Sequence, residues 1–226
     1  MNNFEIKNIE SGRSMIEMLG VLAIIGVLSV GGIAGYSKAM MKYRINKTIE
    51  QITLIAGNIR SFFVSQGNYV GLGSSADGRK IVQKAKLVPD EMWNSNKTSL
   101  NNIWGGGFFV DSFQKGDNDR SKGLTGCSRG CDAIRMQLVE IPVEACIELA
   151  SQDWSNVASN TIVCVSPNGT DTEYCIKSPL SLDEAVTICT TPEVTTMFFD
   201  LYIDVDPLST FWSTKLTNCS ISKGGC

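Results

Sequence analysis

Chemistry is first expected where an acid meets an apolar run. Glu17 is followed by twenty uncharged residues, Met18 to Ser37, and Gly12 stands five positions before it. A carboxylate at the centre of a bilayer costs roughly 2.5–3.5 kcal/mol, so Glu17 calls for a partner cation wherever this segment enters a dry environment. Eight cysteines form the second reactive set, Cys127, Cys131, Cys146, Cys164, Cys175, Cys189, Cys219 and Cys226, all in the second half of the chain. The chain has no histidine, and its closest cysteine pairs are spaced C-x3-C, C-x10-C and C-x6-C. That pattern disfavours zinc and points to disulfides formed in an oxidising compartment. Asp200, Asp204 and Asp206 are a third, weaker set. Their oxygens suit Ca²⁺, but alternate strand positions lie nearly 7 Å apart, and a solvated polar face is the simpler reading.

Other chemistries find little support. There is no G-x-S-x-G, and Gly105-Gly106-Gly107 is not followed by the Lys-Ser/Thr of a phosphate-cradling loop. No catalytic residue, metal ligand or cofactor is expected. A net charge of −3 offers no basic surface for nucleic acid.

The elements that must position Glu17 and the cysteines follow from periodicity. As a helix, Met18 to Ser37 is about 30 Å long, enough to cross a hydrocarbon core. Beyond Ser37 the pattern becomes one-sided. Met41, Ile45, Ile49, Ile52, Ile55, Ile59, Phe62 and Phe63 recur at three- and four-residue intervals, with Lys42, Asn46, Lys47, Glu50, Gln51, Asn58 and Arg60 between them. This predicts an amphipathic continuation, and Gly67-Asn68 is a stop signal, so one helix is expected from Ser14 to Gln66. From residue 67 the chain reads as an α+β head with an antiparallel sheet. Strands are expected at Phe198 to Val205, where apolar and polar residues alternate, and at Gly107 to Phe113, Arg135 to Ile141 and Thr161 to Val165. Short helices are expected around Cys146 and over Ser181 to Cys189, the latter opened by a Ser181/Glu184 capping box.

Eight cysteines permit 105 connectivities. Proximity favours Cys127 with Cys131, Cys164 with Cys175, and Cys219 with Cys226, which leaves Cys146 and Cys189 for a longer bridge. Lys38, Lys42, Arg44 and Lys47 after the apolar run would place that end in the cytoplasm by the positive-inside tendency, whereas the cysteines place it outside. A secretory signal peptide is the competing reading of the apolar run, but the run is too long and no A-x-A-like triplet follows it.

The segment Ser11-Gly12-Arg13-Ser14-Met15-Ile16-Glu17-Met18-Leu19 resembles the type IV prepilin signature. Trp104-Gly105-Gly106, Ile141-Pro142 before Ala145-Cys146-Ile147-Glu148-Leu149, and Ala185 to Cys189 resemble the head of type IVb, PilS-type pilins. The resemblance implies a type IV pilin-like α+β fold: a long helix, apolar then amphipathic, packed on a disulfide-bearing sheet. It implies a leader, residues 1–12, cut between Gly12 and Arg13 by prepilin peptidase, and Glu17 as the assembly residue. Residues 13–37 would then lie in the inner membrane or the filament core, 38–66 would be the amphipathic half, and 67–226 the head. The implied partners are membrane lipid before assembly, an inner-membrane assembly platform, and identical subunits in a filament serving adhesion, aggregation or cell contact. The precursor would sit in the bacterial inner membrane with a periplasmic head, and the product at the cell surface. A secretion-system pseudopilin and a non-polymerising tethered domain are the alternatives.

Overall fold

The computed structural model describes residues 15–73, 76–113, 131–158, 161–167, 174–190 and 197–203. It divides into two compact units, one up to Tyr43 and one from Arg44 onward. Among the described residues the α-helices are α1 (Met15–Phe63), α2 (Ala76–Lys84), α3 (Val143–Ser151) and α4 (Leu182–Cys189). The strands among them are β1 (Leu100–Asn101), β2 (Gly107–Phe113), β3 (Ala133–Val139), β4 (Thr161–Pro167), β5 (Tyr174–Lys177) and β6 (Met197–Ile203).

Helix α1 stops at Phe63, three residues before the expected end. The amides of Gln66 and Gly67 both donate to the Phe63 carbonyl, and Gly67 takes a φ of +65°, the left-handed conformation that closes a helix C-terminus. Within the head unit, Ile52, Ile55, Ala56, Ile59 and Phe63 of α1 are buried in one core with the sheet. Phe62 was expected on that apolar face but is 45% exposed, because it lies one position off the stripe that Ile52, Ile55, Ile59 and Phe63 define. Gln51, expected on the polar face, is buried.

The sheet is antiparallel throughout, in the order β1-β2-β3-β6-β4-β5. Its register stacks Phe108, Leu138, Phe199 and Val165 in one row and Val110, Met136, Leu201 and Val163 in the next. These eight residues share the face that joins the α1 core, since directly opposed residues point the same way. Alternation in β6 is kept, with Phe199, Leu201 and Ile203 all buried. The strand expected at Arg135 to Ile141 begins and ends two residues earlier, because Glu140 adopts a φ of +60° and breaks the ladder. The opposite face, expected to be solvated at Asp200, is closed in part. Asp111, Arg135, Ile162, Cys164 and Cys175 are all buried there.

Short polar elements escape the periodicity. The Trp104-Gly105-Gly106 motif is a turn built around the buried Asn102. Its Oδ1 accepts from the amides of Trp104 (2.9 Å) and Gly106 (3.1 Å), while Nδ2 donates to the carbonyls of Gly107 (3.2 Å) and Val139 (2.7 Å). A Cβ at Gly106 would sit 2.0 Å from the Val139 carbonyl oxygen, so glycine is required there by close backbone approach. The turn thus locks β1, β2 and β3 at one end.

The expected capping box is present. The Ser181 hydroxyl accepts from the Glu184 amide (3.3 Å), and the Ser181 amide donates to the Glu184 carboxylate (2.8 Å). Both helix cysteines are buried and bonded to each other. Cys146 of α3 and Cys189 of α4 form one disulfide, and Cys164 of β4 and Cys175 of β5, directly opposed in register, form another. Cys131 is disulfide-bonded as well. Cys127, Cys219 and Cys226, and with them the pairings expected for Cys127 and for Cys219, lie outside the described residues, as do Asp204 and Asp206.

Candidate assembly site

Glu17 lies in the first turn of α1, fully in the open, and is the only charged residue between Met15 and Ser37. A carboxylate at a helix N-terminus is favoured by the amide dipoles there. The side chains that follow have no cover. Every apolar residue larger than alanine from Met15 to Tyr36 is more than half exposed, from 53% for Ile25 to 84% for Met15. Among the described residues, one helix is long and apolar enough to span a membrane, and it is this one.

The two serine hydroxyls of the segment are satisfied within it. The Ser29 hydroxyl donates to the Ile25 carbonyl (2.7 Å) and the Ser37 hydroxyl to the Ile33 carbonyl (3.0 Å). Such back-bonding satisfies both serine hydroxyls without water, as a helix surrounded by hydrocarbon requires. Gly20, Gly26, Gly31, Gly32 and Gly35 face open space, so Gly31-x-x-x-Gly35 offers a flat surface for another helix. Gly12 and Arg13 lie outside the described residues.

Within the head unit, a set of polar contacts holds the second half of α1. Glu91, in a short 3-10 turn over Asp90–Met92, accepts from the Gln51 amide (2.9 Å) and lies 3.2 Å from the Lys47 ammonium. Asn58 donates to the Leu87 carbonyl (3.1 Å), and the Arg60 guanidinium donates to the Val157 carbonyl. Periodicity marked these positions only as the polar side of the helix. Their partners lie 29 to 97 residues away and carry no local signal.

The Gln51 hydrogen bond, then the Lys47 contact, hold the Glu91 carboxyl below its ordinary range, while the Glu91 hydrogen bond raises Lys47. A depressed carboxylate contributes stability above its unfolded pKa and loses it as pH falls through the folded value. The head is therefore expected to lose melting temperature below about pH 4.5, and Glu91→Gln to flatten part of that loss. The effect is small, about 1 kcal/mol or less, since the Glu91 side chain is 53% exposed. Thermal melts of both proteins between pH 3 and 7 check it.

The bundlin family model matches residues 38–196, more than half of the chain. The protein belongs to the bundlin family of pilins. No curated protein matches the chain. The matched span holds the second half of α1 and the head through the end of α4. As a bundlin-family pilin, the protein has the α+β type IV pilin fold and belongs with the structural subunits of type IV pili. The family implies assembly of identical subunits into a pilus filament, and the exposed apolar helix is compatible with membrane anchoring.

Proposed function

We propose that this pilin is a type IVb pilus subunit, held in the inner membrane by residues 13–37 with its head in the periplasm. Prepilin peptidase removes residues 1–12 by cutting between Gly12 and Arg13. An inner-membrane platform then moves the helix from lipid into a filament core, with 38–66 and the head 67–226 forming the outer layers. The fibre serves adhesion, aggregation or cell contact at the surface. The carrying observation is the exposed apolar half-helix with Glu17 as its single charge.

Transfer from lipid to neighbouring helices keeps those residues out of water throughout, so apolar burial is conserved and only the partner changes. Register is then set by charge. Glu17 in a dry core needs a cation, and the α-amine freed at Arg13 of a neighbour supplies one. A contact repeated between different surfaces of identical subunits builds an open helix rather than a closed ring.

Glu17→Ala is expected to leave the processed subunit in the membrane at wild-type amount and to reduce sheared surface filaments at least about tenfold, because the freed amine is left without its counter-charge. Intact mass of the membrane-extracted protein should correspond to a chain beginning at Arg13. Wild-type filament yield from the variant would remove the assembly role of Glu17. A chain still beginning at Met1 in a strain with active prepilin peptidase would remove the processing assignment.

A further inference from the structure

The charge pattern of α1 changes abruptly at the end of its apolar half. No Asp or Glu stands between Met18 and Ile49, while Lys38 and Lys42 follow directly on the twenty uncharged residues. Both lysines are exposed, and so are the two tyrosines that bracket them, Tyr36 at 67% and Tyr43 at 57%. Lys38 and Lys42, four residues apart, share one helix face, and Tyr36 and Tyr43, seven apart, share another. Together they band the helix with a basic and aromatic collar.

The collar has the thickness of one lipid headgroup layer. Along the helix axis the lysines are about 6 Å apart and the tyrosines about 10 Å. The polar layer on each side of a hydrocarbon core is about 5–8 Å deep. Tyrosine favours that level because its ring is apolar and its hydroxyl wet, and lysine reaches phosphate there on a flexible apolar stem. The positive-inside tendency would put Lys38 and Lys42 on the cytoplasmic side, whereas the disulfide-bearing head that follows them belongs to an oxidising compartment. Cations kept on the head side call for an anion in that leaflet.

We propose that Tyr36, Lys38, Lys42 and Tyr43 form a binding collar for anionic phospholipid headgroups in the membrane leaflet next to the head. The inference rests on the membrane-anchored reading above and adds which lipids the subunit holds. Each lysine near an anionic surface raises association about fivefold. The collar also sets depth. Glu17 lies 21 residues before Lys38, about 32 Å along the axis, so with Lys38 among phosphates the Glu17 carboxylate reaches the opposite edge of the hydrocarbon and stays hydrated.

The full-length chain reconstituted in phosphatidylcholine vesicles tests it, with trace spin-labelled phosphatidylglycerol or phosphatidylcholine reporting which lipid is slowed at the protein surface. At low salt the wild-type chain is expected to prefer the anionic label about fivefold, and about 0.5 M sodium chloride should remove most of that preference. Lys38→Gln with Lys42→Gln should reduce it to about twofold or less, whereas Lys38→Arg with Lys42→Arg should keep it. Glutamine and arginine form helix about as well as lysine, so both variants retain α1. An unchanged preference in the glutamine pair, or equal holding of the two labels by a wild-type chain that floats with the vesicles, overturns the collar and leaves the membrane reading intact. Inorganic phosphate that displaces the anionic label more strongly than sodium chloride of equal ionic strength would mark a site for free phosphate and overturn the lipid assignment. A wild-type chain that does not float with the vesicles removes the membrane reading and the collar with it.

Discussion

Arg135→Leu is expected to destabilise the head by about 3–5 kcal/mol, a third or more of what a domain of ordinary stability possesses. Arg135 of β3 and Asp111 of β2 are directly opposed in register, and their Nη2 and Oδ2 atoms lie 2.9 Å apart. Their side chains are only 7% and 1% exposed. At that depth solvent screens little, and removing the guanidinium takes the opposed counter-charge from a buried carboxylate. Asp111→Leu should cost a similar amount for the mirror-image reason. The two changes combined should cost far less than their sum, because a pair of apolar residues needs no desolvated charge to be balanced. Urea unfolding of the three variants gives the double-mutant cycle. Additive losses would mean that the two side chains are held by other partners more than by each other.

Cys146→Ala with Cys189→Ala is expected to cost about 4 kcal/mol. The bridge spans 43 residues, and the chain-entropy relation assigns about 4 kcal/mol of unfolded-state constraint to a loop of that size. Both sulfurs are buried in the core, and the bridge joins α3 to α4, so its loss also frees the helix pair that carries Val143, Leu182 and Val186. The second bridge makes the comparison. Cys164 and Cys175 are 11 residues apart and already held opposite each other by the β4–β5 ladder. Replacing that pair should cost about 3 kcal/mol or less. Thermal unfolding of the two double variants in oxidising buffer tests the order. A larger loss from the Cys164/Cys175 replacement would show that loop length does not govern the effect here.

Local pattern carried much of this fold. The helix was legible because 3.6-residue spacing persists from Ile45 to Phe63, and its end was misplaced by three residues because Val64 to Gln66 contain no breaker, while Gly67 acts backwards through bonds to Phe63. Strand β6 was legible because Phe199, Leu201 and Ile203 alternate with polar residues. Alternation was a poor guide to the other face of the sheet. For Asp111 and Arg135, only their opposition across two strands shows that the two charges meet in a buried place.

The cysteines divide along the same line. Count and compartment were readable from composition, and the order of proximity named the pairs Cys146–Cys189 and Cys164–Cys175 without a geometric reason for either. The reason is tertiary. Opposed register puts the Cα atoms of Cys164 and Cys175 4.0 Å apart, and antiparallel packing of α3 on α4 brings those of Cys146 and Cys189 to 5.9 Å.

By itself, then, the sequence determined what depends on neighbours along the chain: an apolar helix with one acid, an amphipathic continuation, an alternating strand, a capped short helix. Helix and strand periodicities are local properties of the backbone, so they survive without knowledge of the fold. Only the tertiary structure decided which polar residues are buried and by what they are satisfied, as Gln51 by Glu91, Asn102 by four backbone groups and Arg135 by Asp111. These facts join residues tens of positions apart, and no local propensity encodes a partner that the chain has yet to meet.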